Sequence, residues 1–78
     1  LPNYYKILDI HDTATIKEVK IAYKRLADKY HPDKRGDLTD EEKEDFSEKM
    51  KLINEAKDTL TDPVKRSKYD QKLGLDGL

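Results

Sequence analysis

The residues of this chain whose types and spacing could do chemistry are a histidine and an aspartate separated by one proline, His31-Pro32-Asp33. An imidazole and a carboxylate can exchange protons, bind a metal ion or pair with charged groups of another molecule. Proline ends a helix because its ring clashes with the preceding turn and it has no N–H to donate. We therefore expect the tripeptide at a corner where a helix ends, a place from which binding residues are often presented.

Catalysis and metal binding are the less favoured roles for this corner. No nucleophile stands at a plausible spacing from His31, and so short a chain offers no concave site that would exclude water. His11 and His31 are the only histidines and there is no cysteine. Exposed carboxylates alone make poor zinc ligands. We therefore predict no catalytic residue, no metal site and no cofactor, which leaves a partner contact or a simple helix end.

Charge is abundant and unevenly distributed. Charged residues make up 42% of the 78 residues, yet the net charge is only −1, which argues against the whole domain being a nucleic-acid binder. Residues 17–35 include seven basic and three acidic side chains, a net of +4, whereas residues 37–48 include seven acidic and one basic, a net of −6. A basic segment is thus followed by an acidic one.

The elements that must position the tripeptide are all predicted to be helical. There is no alternating apolar run of strand length, and two of the three glycines lie in the last five residues. We predict a second helix over Ile16–Tyr30, ending before Pro32, and a short fourth helix that fades at Gly74. Four helix starts carry capping residues: Asn3, Thr15 with Glu18, Thr39 with Glu42, and Asp62 before Pro63.

Two apolar stripes predict how the long helices pack. The second helix carries one stripe at spacings of three and four: Val19, Ala22, Leu26 and Tyr30. The third helix carries another: Phe46, Met50, Ile53, Ala56 and Leu60. Lys57 interrupts this stripe, and we expect its stem to cover the core while its amine reaches water. Such helices, joined by a loop of about eight residues, should form an antiparallel hairpin with His31-Pro32-Asp33 exposed in the loop.

Several polar surfaces lie outside the stripes, and the simplest interpretation is that they face solvent. The basic side chains of the second helix fall largely on the face opposite its stripe: Lys17, Lys20, Lys24 and Arg25. In the third helix, i,i+4 pairs such as Asp45–Lys49 would balance part of the acidic run. On the fourth helix, Arg66 and Asp70 are spaced for a surface salt bridge.

Three stretches carry a more specific signal: residues 3–8 (NYYKIL), residues 18–34 with AYKRLA followed by YHPDK, and residues 53–70 with INEA, LTDP, KR and YD. The tripeptide alone would mean little, but in this context it is highly specific. The three stretches resemble the J domain of DnaJ-type co-chaperones, and the match is strongest over residues 3–72. We predict a single J domain over residues 1–78, and an all-α fold of four helices follows independently from the apolar periodicity.

The resemblance implies a function as well as a fold. J domains bind a DnaK-type heat-shock chaperone in its ATP state and accelerate its ATP hydrolysis in support of protein folding, without hydrolysing ATP themselves. The resemblance implies that Asp33 pairs with an arginine at the partner's nucleotide-binding domain, and that the basic face of the second helix meets an acidic surface. The expected partner-binding residues are His31, Pro32, Asp33, Lys34, Lys20, Tyr23, Lys24 and Arg25.

The chain departs from the family pattern in four places. Asp9 stands where many members have glycine, and Lys57 where an aromatic usually follows the alanine of Asn-Glu-Ala. The segment 33–50 is several residues longer than usual. Met50 occupies the usual phenylalanine position, and Phe46 lies one turn earlier. These departures concern the core and the loop length rather than the tripeptide.

Two alternatives remain, and the setting of the domain is an expectation only. One alternative is a helical nucleic-acid-binding module using the basic second helix, although the connection is too long for a helix–turn–helix and the next helix begins with acidic residues. The other is a J domain that serves only as an interaction module. No apolar run approaches the roughly 20 residues that cross a bilayer. We expect a monomer that contacts neither nucleic acid nor membrane, cytoplasmic by default and part of a longer protein, since the chain begins at Leu1.

Overall fold

The computed structural model describes residues 3–31 and 36–74. Pro32, Asp33 and Lys34 of the predicted site lie outside these residues. The described residues contain four helices and no strand, which confirms the predicted all-α class. The helices are α1 (Tyr4–Leu8), α2 (Ile16–Tyr30), α3 (Asp40–Leu60) and α4 (Pro63–Leu73).

The predicted capping residues determine where the helices begin. Thr15 and Thr39 are each the N-cap residue of a complete capping box. The threonine hydroxyl accepts a hydrogen bond from the backbone N–H of the third helical residue, a glutamate, and the glutamate carboxylate accepts one from the backbone N–H of the threonine. The N–H of Thr15 donates to Glu18 over 3.1 Å and lowers the pKa of that carboxyl below its usual value. Asp62 accepts from two backbone N–H groups at the start of α4, with Pro63 at the first position.

The end of α1 explains one departure from the family pattern. Asp9 is the C-cap of α1 and has φ 55° and ψ 51°, in the left-handed region. Glycine adopts this conformation without steric cost, and aspartate is among the few other residues that visit it. Its backbone N–H closes the helix by donating to the carbonyl of Lys6. The turn is therefore retained without the glycine.

Helices α2 and α3 form the predicted antiparallel hairpin. Near one end Tyr30 packs edge-on against Phe46, with ring centroids 5.2 Å apart. Farther along, the Tyr23 hydroxyl donates to Oδ1 of Asn54 over 2.9 Å. Contacts thus move backward along α2 as they move forward along α3, which is the antiparallel order.

The core lies between the hairpin and α1, with α4 packed on α3. Three apolar side chains are the most deeply buried: Leu8, Val19 and Leu60. Both predicted stripes contribute to this core, and Ala14 in the loop before α2 joins it. None of the helices within 3–31 and 36–74 is long and apolar enough to cross a membrane.

Tyrosines join α1 to α4. The rings of Tyr4 and Tyr69 stack with centroids 4.6 Å apart, and the Tyr69 hydroxyl accepts from the backbone N–H of Tyr4 over 2.8 Å. The hydroxyl of Tyr5 donates to Oδ1 of Asp70 and accepts from Nε of Arg66 over 3.1 Å. These contacts pack Tyr5 and Tyr69 in the core and Tyr4 against it. They also place the Tyr5 hydroxyl against both partners of the surface salt bridge predicted on α4.

Candidate functional site

His31 occupies the end of α2, as predicted. It is the C-cap residue, and its backbone N–H donates to the carbonyl of Ala27 over 2.9 Å. Its φ of −71° and ψ of 113° are extended, the conformation that a following proline favours. The imidazole is half-buried, and its buried Nδ1 has no hydrogen-bond partner within residues 3–31 and 36–74. A buried polar atom without a hydrogen-bond partner lowers the free energy of unfolding, because it has lost its contact with water and gained nothing in return. The Nδ1 atom of His31 therefore does not stabilise the fold.

Side chains of α3 pack against Tyr30, the residue just before His31, and hold the end of α2 in place. Phe46 of α3 lies against the Tyr30 ring, and the ammonium of Lys49 lies 5.1 Å from the centroid of that ring. Lys49 also pairs with Asp45 over 3.4 Å, which confirms the predicted i,i+4 pair. Lys29 approaches the Tyr30 ring to 5.2 Å. The last turn of α2 is therefore held against α3 by one aromatic pair and by the ammonium of Lys49, while Lys29 covers the Tyr30 ring from α2 itself.

The basic face of α2 is exposed to solvent. The side chains of Lys20, Lys24 and Arg25 are exposed, as the periodicity predicted. Ile21 is 61% exposed on the same side of the helix, between charged neighbours. An exposed large apolar residue among cations gives this face a combination of charge and apolar area.

Tyr23 differs from the other residues predicted on α2 because α3 holds it in place. It is half-buried, its hydroxyl donates to Asn54, and the ammonium of Lys57 lies 5.3 Å from its ring centroid. The same ammonium lies 3.5 Å from Oδ1 of Asp58. Tyr23 therefore links the basic face of α2 to the C-terminal half of α3.

The described residues offer no metal centre. No group of three or more histidine, cysteine, aspartate or glutamate side chains within 3–31 and 36–74 is placed to hold a metal ion. His11 is exposed in the loop before α2. What the geometry provides is a charged, convex surface suited to contact with a macromolecule.

Comparison with known proteins decides the family. The sequence profile of the DnaJ domain matches residues 3–70, which is 68 of the 78 residues. The chain belongs to the DnaJ domain family. This confirms the resemblance inferred from the three sequence stretches, and the four-helix architecture is consistent with it.

Named relatives of this DnaJ domain come from bacteria and from a eukaryote. It is 46% identical over 69 residues to a Chaperone protein DnaJ of Fusobacterium nucleatum subsp. polymorphum, covering 88% of this chain and 18% of the relative. It is 47% identical over 77 residues to that of Carboxydothermus hydrogenoformans, covering 96% and 19%. It is 49% identical over 76 residues to a DnaJ homolog subfamily C member 11 homolog of Dictyostelium discoideum, covering 97% and 13%. The chain spans less than a fifth of each relative.

The family assignment supports a role as a co-chaperone module, and DnaJ domains are not themselves catalytic. Two features of the surface were not anticipated. Ile21 lies outside the apolar stripe, so its position on the basic face was the signal that could have identified it. The contact of Lys57 with Tyr23 depends on the register between α2 and α3, which periodicity within one helix does not determine.

Proposed function

We propose that this DnaJ domain binds a DnaK-type chaperone in its ATP state and stimulates ATP hydrolysis by that partner. The observation that carries the proposal is His31-Pro32-Asp33 directly after α2 in a chain of this family. His31 ends the helix with an extended backbone and an unpaired buried ring nitrogen. A buried polar atom that has no hydrogen-bond partner within residues 3–31 and 36–74 is available to bond to a group of a partner protein.

The exposed positive charges of α2 attract the partner chaperone during association. Lys20, Lys24 and Arg25 are free to meet an acidic surface, and charges of this kind steer association and set register more than they add affinity. Asp33 then pairs with an arginine of the partner's nucleotide-binding domain. Stimulation requires that these contacts be stronger in the hydrolysis-competent arrangement of the partner than in its other states, because a ligand shifts an equilibrium only through differential affinity.

The decisive experiment is single-turnover ATP hydrolysis by purified DnaK-type chaperones with and without the 78-residue chain. We expect faster hydrolysis with the wild-type chain and almost none of that acceleration with Asp33→Asn or His31→Gln. A matched control is Asp12→Asn, which makes the same chemical change at an exposed position of the loop before α2. Full stimulation by Asp33→Asn would contradict the proposal.

A charge reversal tests the basic face separately. Lys24→Glu should slow association with the chaperone and make its rate less sensitive to salt, since rim charges act mainly on the association rate. Lys68→Glu places the same change on the exposed surface of α4 and serves as the control. Stopped-flow association at two ionic strengths measures both variants, and identical kinetics for the two would argue against a role for the face.

A further inference from the structure

Lys57, like Lys49, lies near both an aromatic ring of α2 and a carboxylate of its own helix. Its ammonium lies 5.3 Å from the centroid of the Tyr23 ring, within the range of a cation–π interaction. Its side chain is half-buried, with 37% of its area exposed. The Tyr23 hydroxyl is bound at the same time by Asn54, three residues before Lys57 on α3. One turn of α3 therefore holds both the ring and the hydroxyl of Tyr23.

Helix geometry places these residues beside the basic face. Residues three or four apart are neighbours on a helix surface, so Lys20 lies next to Tyr23 on α2 and Asn54 lies next to Lys57 on α3. Tyr23 is the point at which the two surfaces meet. The positive charge of Lys57 consequently extends the charge of α2 across the groove between the helices.

The ammonium of Lys57 is only partly neutralised where it stands. Within residues 3–31 and 36–74 it contacts one carboxylate, that of Asp58 at 3.5 Å, and 64% of the Asp58 side chain is exposed to solvent. An exposed pair of this kind contributes little and is easily exchanged for another carboxylate. A carboxylate arriving on a partner can therefore take the place of Asp58 without leaving a buried charge unpaired.

We infer that Lys57 is a positioning residue of the chaperone-binding surface, holding the Tyr23 ring and adding a charge of α3 to the basic face of α2. The inference rests on the proposed function. The acidic surface of the chaperone then extends over both helices, from Lys20 and Lys24 to Lys57. The aromatic that usually occupies this position packs against neighbours without adding charge, so this chain gains an electrostatic contact there.

The test measures binding of the 78-residue chain to a DnaK-type chaperone in its ATP state at two ionic strengths. Lys57→Met removes the charge and keeps an unbranched apolar stem, and we expect affinity to fall about two- to fivefold at low salt, with a smaller difference at high salt. Lys57→Arg keeps the charge and can stack on the ring, so it should restore the wild-type affinity. Lys57→Tyr should keep the packing and show the weaker salt dependence of Lys57→Met.

Lys51→Met is the matched control, because Lys51 is an exposed lysine of the same helix. It should leave the affinity and its salt dependence unchanged. In the free chain, the NMR signals of the Tyr23 ring should shift in Lys57→Met and stay in place in Lys51→Met, while both variants keep the wild-type melting temperature. That readout reports the ring contact without any partner.

The outcomes separate the two proposals. If the wild-type chain does not bind or stimulate the chaperone, the proposed function fails and this inference fails with it. If Asp33→Asn abolishes stimulation while Lys57→Met binds like the wild type at both salt concentrations, only the role of Lys57 is overturned. If Lys57→Met is unstable, Lys57→Gln takes its place. Equal affinity and equal salt dependence of the wild type, Lys57→Gln and Lys51→Met would then overturn the role of Lys57.

Discussion

The two ends of the hairpin are built in different ways. Where α1 and α4 meet α3, Leu8 and Leu60 have no exposed area and Tyr5 and Tyr69 are almost completely covered. Toward His31, Leu26 and Tyr30 are only half-buried. One end is closed by aliphatic packing and tyrosine hydrogen bonds, whereas the other is held by one aromatic pair and the cation of Lys49. The deeply buried end stabilises the fold, and the open end carries the candidate binding surface.

This difference predicts where substitutions should alter stability and where they should alter binding. Free energy of folding scales with the apolar area removed from water, so the closed end supplies most of it. The open end gives up that contribution to keep charged side chains accessible. The two ends should therefore separate cleanly in experiments that measure stability and chaperone stimulation side by side.

Core truncation should produce the largest effect. Leu60→Ala removes a side chain with no exposed area and should lower the free energy of unfolding by about 2–5 kcal/mol. Leu26→Ala, at a half-buried position nearer His31, should cost only about 1–2 kcal/mol because part of its side chain is already in water. Urea denaturation followed by circular dichroism measures both. Equal losses would show that the two ends contribute equally to the free energy of unfolding.

Helix caps should give a smaller and more local effect. Thr15→Ala removes the capping hydroxyl at the start of α2, beside the core, and should lower the free energy of unfolding by about 1 kcal/mol. Thr39→Ala makes the same change at the start of α3, where the first turn is exposed. We expect it mainly to fray that turn.

Hydrogen exchange distinguishes the two cap variants. Faster exchange confined to the amides of residues 40–44 is expected for Thr39→Ala, with little change in the global stability. Thr15→Ala should instead accelerate exchange throughout the core. A global loss of protection in Thr39→Ala would show that the open end is coupled to the core more tightly than its burial suggests.

Most of the fold was predictable because its signals are local. A capping box needs residues only three apart, and an apolar stripe needs only one helix, so the bounds of α2 and the pairing of α2 with α3 followed from short stretches of sequence. Asp9 was anticipated as a departure from the family pattern, and its left-handed φ shows why it is tolerated.

The contacts that were missed depend on residues far apart in the chain. Arg66 was expected to pair with Asp70 on the surface of α4, yet its Nε donates to the hydroxyl of Tyr5, 61 residues earlier. Lys57 was expected to send its amine to water, yet the register between α2 and α3 places it over Tyr23. Neither partner can be identified from spacing within one helix.

The smallest expected signal belongs to the closed end and is spectroscopic. Burial, together with the hydrogen bond from its hydroxyl to Asp70, raises the pKa of Tyr5 from 10.0 to about 12. The folded state then keeps this proton over a range of pH in which the unfolded state has lost it. The stability contributed by Tyr5 is therefore fully present below pH 10 and is lost as the pH rises from 10 through about 12.

A stopped-flow pH jump that records tyrosinate absorbance before unfolding can isolate this group. Tyr5→Phe should remove the absorbance step near pH 12. Persistence of that step in Tyr5→Phe, or its absence from the wild-type chain, would show that the closed end does not shield the Tyr5 hydroxyl from water and hydroxide.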